Sequence, residues 1–345
     1  MSHNPAPGIR LAVVGATGAV GREVLRIISQ RRFPAAELRL LASPRSAGRR
    51  LGTHVVQAVS PQAFDGVDIA IFDTPDAVAE QWVPIAATRG AIAVDNSAAF
   101  RMAEDVPLVI PEINGDTLDH LPRRIVANPN CTVATFAVPL APLHREAVLR
   151  RVIACSYQSV SGAGQKGPDQ LWTELRTAAG AGEVPAKPMG EAFKHPILMN
   201  IIPAIGSMRG AHTSEEVKVA AELRKLLDAP GLLAGVTCVR VPTLVGHGVA
   251  VHAEFERAIT PEEARRLLEH SPGVEVVDDP AAGQYPTALG AAGRDPCYVG
   301  RIRIDEAGNL AFFAVADNLR KGAALNAVQI AEMLLARGAV ARTVA

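Results

Sequence analysis

Cys131 ends the tetrad Asn128-Pro129-Asn130-Cys131, with a strand-like Ile125-Val126 before it and a helix-like run to about residue 146 after it. A cysteine at the start of a helix meets unpaired main-chain amides and the positive end of the helix dipole. Both favour the thiolate, the form that attacks a carbonyl carbon. The plainer alternative is a small core residue, and that is the expectation for Cys155 and Cys238, which fall inside strand-like runs. Position alone leaves both readings of Cys131 open. The four cysteines form no C-x-x-C pair and no metal-ligand spacing, so a reduced protein with single-thiol chemistry and no metal site is expected.

A second chemical signature lies near the start of the chain. Residues 9–14 are a short apolar run, followed by Gly15-Ala16-Thr17-Gly18-Ala19-Val20-Gly21 and an amphipathic stretch over 22–31. Strand, glycine turn and helix in that order bring main-chain N–H groups against a pyrophosphate; without those flanks the same glycines mark only a turn. After the second strand the run Ala42-Ser43-Pro44-Arg45-Ser46 offers no Asp or Glu for a ribose 2′-hydroxyl. Arg45, with Ser43 and Ser46, offers a forked cation and two hydroxyls for a 2′-phosphate, which points to NADP. The alternative is a solvated basic turn, since Arg49 and Arg50 follow.

These groups need a scaffold, and the hydrophobic pattern supplies one. Strands are predicted over 9–14, 37–42, 68–72 and 91–94, with a helix over 76–88, the alternation of a Rossmann-like, doubly wound parallel sheet. Past residue 131 longer strands are predicted over 151–160, 235–241, 248–258, 298–304 and 310–315, with helices over 170–179, 213–228 and 261–270. The alternation of Val249, Val251, Ala253 and Phe255 suggests a half-exposed, mostly antiparallel sheet. The expected fold is α/β. A nucleotide-binding domain spans 1–131 and a second, α+β domain for substrate and dimerisation spans 132–318; the C-terminal helix, within 319–345, returns to the first.

Length and charge narrow the function classes. A chain of 345 residues is long for a single core, so two domains are expected. Lys plus Arg and Asp plus Glu stand at 35 each, a balance with no pull toward nucleic acid or anionic membrane, which leaves a small molecule as partner. No apolar run approaches the roughly 18 residues of a membrane span. The opening residues 1–8 are polar and proline-containing, unlike a signal peptide, so a cytoplasmic protein is expected.

Five segments, in order and over nearly the whole chain, resemble aspartate-semialdehyde dehydrogenase around the NPNC tetrad. They are AVVGATGAVG at 12–21, DNSAAFRM with DVPLV at 95–109, SYQSVSGAG at 156–164, CVRVPTLVGH at 238–247 and DNLRKGAALNAVQIAE at 317–332. The resemblance implies reversible, NADP-dependent reductive dephosphorylation of L-aspartyl β-phosphate to L-aspartate β-semialdehyde, on the way to lysine, methionine, threonine and isoleucine. Cys131 would form a hemithioacetal and then a thioester that phosphate resolves, splitting one difficult step into two. His247 would be the acid/base partner, Gln158 would orient the acyl group and Asn130 would stabilise the developing oxyanion. Arg240 would clamp the α-carboxylate and Glu215 hold the amino group, with Lys218 and Arg101 on phosphate. Without the resemblance, Glu215 and Lys218, at i and i+3 of a predicted helix, would be read as a surface ion pair. For the cofactor it implies Gly15, Thr17, Gly18, Ala19, Val20, Ser43, Arg45, Ser46 and Thr74 from the first domain, and Ser161, Gly162, Pro196 and Asn318 from the second.

The chain departs from the family at three places. Members often carry a small-residue loop where this chain has Phe72-Asp73-Thr74-Pro75-Asp76, so Asp73 adds a negative charge near the phosphates. Gly248 follows His247 where serine is frequent, and the segment 181–194 is short and proline-rich. Two other functions compete. N-acetyl-γ-glutamyl-phosphate reductase shares the plan and the thiol, but its substrate nitrogen is acylated and has no use for the acid at Glu215. A non-catalytic NADP-binding paralogue would have no need of Cys131, His247, Arg240 and Lys218 together. Val152, Val239 and Phe312 are expected on the solvent face of the second sheet, where they would support a homodimer.

Overall fold

The structure, a computed structural model, describes residues 8–340; the first seven residues of the polar opening segment and the last five of the C-terminal span lie outside them. Of the described residues, those up to 129 together with those from 323 onward form one compact unit and 130–322 form another.

In the first unit, β1 (Ile9–Val14), β2 (Ala35–Ala42), β3 (Gln57–Ala58), β4 (Ile69–Phe72), β5 (Ile92–Asp95) and β6 (Ile125–Ala127) make one sheet in the order β3-β2-β1-β4-β5-β6. Every pairing is parallel. Alternate residues of β1 (Ile9, Leu11, Val13) are buried with Val24 and Ile27 of the first helix, Ala19–Gln30, and with Leu325 and Val328 of the last, Leu325–Ala336. On the opposite face Phe72 stacks on Phe64 at 5.9 Å, and Phe64 meets Trp82 of the helix Asp76–Thr88 at 6.4 Å. Helices on both faces explain why these strands read as nearly unbroken apolar runs. Strand order reverses between β1 and β4, which opens a crevice at their C-terminal ends. The two-residue β3 carries no hydrophobic period and escapes sequence reading.

In the second unit, β7 (Leu149–Gln158), β8 (Leu233–Arg240), β9 (His247–Phe255), β10 (Val274–Val276), β11 (Cys297–Ile304) and β12 (Leu310–Ala316) form a sheet ordered β8-β7-β9-β12-β11-β10. It is mixed. The three central pairings are antiparallel, as expected, but β8 on β7 and β10 on β11 run parallel. A parallel neighbour needs a long crossover, and the 74 residues from 159 to 232, which hold the helices Lys166–Ala181 and Ser214–Leu226, provide it for β8.

The solvent face expected for this sheet needs correction. Val152 and Phe312 are 0% and 2% exposed, on the face packed by the helix Cys131–Ala147, whereas Ile153 and Tyr157 stand outward at 53% and 39%. A strand's side chains alternate, so misjudging its parity by one residue exchanges the faces. Val239 is in register with Tyr157 yet is only 7% exposed, beside the bridge between Ile202 and Arg240.

Candidate active site

Three strand ends and one helix start meet within the second unit. Gln158 ends β7 in direct register with Arg240 at the end of β8, and His247 begins β9, the other neighbour of β7. Sheet pairing thus brings to one place three residues widely separated in sequence. Cys131 is the first residue of its helix, and Asn130 caps it: Asn130 Oδ1 accepts from the amides of Thr132 at 2.8 Å and Val133 at 3.4 Å. That capping is why an asparagine precedes the cysteine, and it leaves the thiol at the helix N-terminus.

Cys131 Sγ lies 3.3 Å from Nε2 of His247. His247 is fully buried, and its Nδ1 accepts from the main-chain N–H of Ser159 at 3.1 Å. Burial, and next the positive charge of Arg240, hold its pKa well below the usual histidine value. Arg240 is 5% exposed and donates from Nη1 to the Ser159 carbonyl oxygen at 2.7 Å. Its Nε is buried with no hydrogen-bond partner, and burial pulls the guanidinium pKa down. An unsatisfied buried donor on an arginine is costly unless a ligand accepts from it, which suits a carboxylate. Gly162 closes this side. A Cβ there would sit 2.8 Å from Arg240 Nη1 and 3.2 Å from His247 Nε2, so a larger residue would have to displace the guanidinium.

Glu215 Oε1 accepts from Asn130 Nδ2 at 3.0 Å and from Gln158 Nε2 at 3.4 Å. Three of the expected site residues therefore touch one another. Both ends of the Asn130 side chain are engaged, one as the cap and one on Glu215. Lys218, one turn on from Glu215, is half-buried and has no ion-pair partner among the described residues. Asn318 is buried, and its Oδ1 accepts from the Gly246 amide at 2.9 Å and the Ser159 hydroxyl at 3.0 Å, while Nδ2 donates to Ser161 Oγ at 3.0 Å. Pro196 sits in a loop held by the buried carboxylate of Glu174, which accepts from the amides of Ile197 at 2.8 Å and Leu198 at 2.9 Å.

Sequence reasoning missed Ser159, Glu174 and Glu222. Glu222, 1% exposed, accepts from the Asn130 amide at 2.6 Å. Its only signal was an acidic residue on the buried face of an amphipathic helix, seven positions after Glu215.

The first unit carries a separate set of groups. Gly15 has φ +87°, and a Cβ there would lie 1.9 Å from the Asp73 carbonyl oxygen, so the turn needs glycine. Thr17, Gly18, Ala19 and Val20 follow into the first helix. Arg45 is exposed in the short turn Pro44–Ser46, flanked by Ser43. Thr74 Oγ1 and both amide atoms of Asn96 are buried with no partner, at the loops that follow β4 and β5. Orphaned polar atoms there fit a polar ligand in the crevice. Burial pushes the Asp73 carboxyl up to about 6, opposed by a hydrogen bond from the Gly21 amide and reinforced by Asp95. Arg101, 8% exposed, donates from Nε to the Asn128 carbonyl at 2.9 Å and from Nη2 to the Asn96 carbonyl at 2.7 Å. No group of His, Cys, Asp and Glu suited to a metal occurs among the described residues, and none of their helices is long and apolar enough to cross a membrane.

Comparison with known proteins agrees across both units. The family model described as "Semialdehyde dehydrogenase, NAD binding domain" matches residues 10–121, and "Semialdehyde dehydrogenase, dimerisation domain" matches 140–321. The aspartate-semialdehyde dehydrogenase of Aquifex aeolicus (strain VF5) is 41% identical over 342 residues, covering 96% of this chain and 100% of the relative. The crystal structure of aspartate semialdehyde dehydrogenase II from Vibrio cholerae matches with a TM-score of 0.91 at 37% identity, over 96% of this chain and 99% of that one. A second structure of that enzyme, complexed with ASA, matches with a TM-score of 0.90 at 36% identity over the same shares.

Proposed function

The chain belongs to the aspartate-semialdehyde dehydrogenase family, and from that premise we propose that it interconverts L-aspartyl β-phosphate and L-aspartate β-semialdehyde with NADP through a thioester on Cys131. The observation that carries this reading is the 3.3 Å approach of a helix-start thiol to the buried His247, beside an arginine with an unsatisfied inward donor.

Cys131 attacks the aldehyde carbon, and phosphate later attacks the resulting thioester. Arg240 holds the α-carboxylate and Glu215 the amino group, while Gln158, pinned to Glu215, orients the acyl carbon. Lys218 and Arg101 supply positive charge to phosphate. Gly15, Thr17, Gly18, Ala19 and Val20 would hold the cofactor pyrophosphate, Ser43, Arg45 and Ser46 its 2′-phosphate, and Thr74 the pyrophosphate or the nicotinamide ribose. Ser161, Gly162, Pro196 and Asn318 would border the nicotinamide. When bound, the cofactor accepts or gives the hydride. The pathway assignment to lysine, methionine, threonine and isoleucine, and the cytoplasmic location, belong to the same reading. The outward face of the second sheet, with Ile153 and Tyr157, suits a homodimer, and a monomer by light scattering at micromolar concentration would exclude it.

The test is NADP+ reduction at 340 nm with L-aspartate β-semialdehyde, with and without phosphate, for wild type and Cys131→Ala. Phosphate-dependent reduction lost in the variant supports the reading. Reduction with N-acetylglutamate semialdehyde alone would move the substrate to the acylated analogue.

A further inference from the structure

We propose that Phe193 is a positioning residue for substrate recognition: its ring face, set against the Arg240 guanidinium and held by Gln170 and Glu174, keeps the partnerless Nε of Arg240 turned toward the substrate α-carboxylate. The inference rests on the reading of Arg240 as the carboxylate clamp, and every residue in it belongs to the second unit.

A guanidinium grips a carboxylate through two donors of its planar fork, so the orientation of that plane decides whether both engage. The main chain of Arg240 is fixed by a reciprocal bridge to Ile202, whose amide donates to the Arg240 carbonyl at 3.0 Å and whose carbonyl accepts from the Arg240 amide at 2.8 Å. At the far end, Nη1 is held on the Ser159 carbonyl at 2.7 Å. A single hydrogen bond leaves the plane free to turn about it. The ring of Phe193 restrains that turn: Arg240 Cζ lies over it, 5.8 Å from the centroid. The attraction of a cation for an aromatic face strengthens away from water, and Arg240 is buried. With Nη1 engaged, the fork left for a carboxylate is the edge shared by Nε and Nη2, and Nε is the buried donor without a partner.

Phe193 needs holding because residues 182–207 form no helix and, apart from the bridge at Ile202, no strand pairing. Two side chains one turn apart on the helix Lys166–Ala181 take the place of that pairing. Gln170 Oε1 accepts from the amides of Ala192 at 3.1 Å and Phe193 at 3.2 Å, and its Nε2 donates to Glu174 Oε1 at 2.8 Å. Glu174 in turn accepts from the amides of Met189 at 3.3 Å, Ile197 at 2.8 Å and Leu198 at 2.9 Å. Five amides of the segment thus end on two buried side chains, whose burial is tolerable because these bonds satisfy them. The segment passes so close that a Cβ on Gly190 would sit 2.9 Å from Gln170 Oε1. The ring also packs on the buried cluster of Val160, Leu171, Ile197 and Leu198. Its effect passes through binding of the carboxylate, which is gripped alike in the ground and transition states, so losing it should raise KM more than it lowers kcat.

The experiment is steady-state kinetics of the full-length protein with L-aspartate β-semialdehyde, phosphate and NADP+. Phe193→Leu keeps an apolar side chain and removes the ring. Its KM for the semialdehyde should rise about 3- to 30-fold, with kcat changed by less than about threefold and the other two KM values moving far less. Phe193→Tyr, which keeps the ring, should recover the KM. Glu174→Gln, which offers the segment's amides one acceptor oxygen in place of two, should raise the same KM selectively. An unchanged KM in Phe193→Leu, equal losses for all three substrates, or a tyrosine variant as impaired as the leucine one overturns the proposal, and an unchanged KM in Glu174→Gln overturns the role given to the helix. Urea denaturation checks that each variant folds, and Phe193→Met carries the comparison if the leucine variant does not. Arg240→Lys separates this proposal from the reading beneath it. A wild-type KM there means that Arg240 does not hold the carboxylate, and both fall. A raised KM there beside an unchanged one in Phe193→Leu leaves the clamp standing and sinks Phe193 alone.

Discussion

The carboxylate of Glu222 accepts the main-chain N–H of Asn130 at 2.6 Å, one residue before Cys131. The segment that presents the thiol is thereby tied to the helix Ser214–Leu226, which also carries Glu215 and Lys218. Glu222→Ala leaves a buried amide unpaired and should cost about 2–3 kcal/mol, with Glu222→Gln costing less. Urea denaturation measures the stability, and the alkylation rate of Cys131 measures how well the thiol is still presented. An alanine variant with both unchanged would show that the bond holds nothing.

Thiol reactivity should separate the cysteines. Burial pushes the Cys238 thiol up to about 12, and Cys297 is also buried, whereas Cys131 is only partly covered. Iodoacetamide at neutral pH should label Cys131 first, and Cys131→Ala should remove the fast phase. A fast phase that survives in the variant would place the reactive thiol elsewhere, with Cys155 the first candidate.

Arg45 should set the choice of nucleotide. Exposed at the turn after β2, it has no ion-pair partner among the described residues. Arg45→Ala should weaken NADP binding by about 10- to 100-fold and leave NAD binding nearly unchanged. Equal losses for both nucleotides would mean that Arg45 supports the fold of the turn and does not read the 2′-phosphate.

Asp73 makes stability depend on pH. Its carboxyl is raised from the usual 3.8 to about 6, chiefly by burial. The folded state therefore binds a proton more tightly than the unfolded chain. Its favourable contribution is complete below about pH 4 and is lost as pH rises through about 6. Asp73→Asn removes that loss, and should stabilise the protein by about 2 kcal/mol at pH 7 while changing little at about pH 4. Urea midpoints at the two pH values test the sign; a destabilised variant at neutral pH would mean that the charged carboxylate is needed to bind the Gly21 amide.

The parts legible in the sequence were those encoded locally. The glycine turn, the apolar strands and the helix start at the NPNC tetrad each lie within a few consecutive residues, and the structure forms each of them. Ser159, Glu222 and Glu174 were invisible because their work is done by a main-chain amide or a buried carboxylate reaching a partner remote in the chain. The parallel edges of the second sheet were hidden for a related reason, since direction is set by the crossover and not by the composition of the strand. Val152 and Phe312 show the limit of a two-residue period: it establishes that a strand has two faces and leaves open which one meets the helix.

The last helix also governs the order in which the protein can mature on the ribosome. Leu325, Val328, Ile330 and Leu334 fill the same core as Ile9, Leu11 and Val13, so the first unit stays without part of its interior until the end of the chain has been synthesised. The inserted unit, 130–322, is emitted whole before that. Assembly during translation should therefore proceed from the middle of the gene outward. A released chain truncated after residue 322 should show protease resistance in the inserted unit while the N-terminal segment remains open to cleavage.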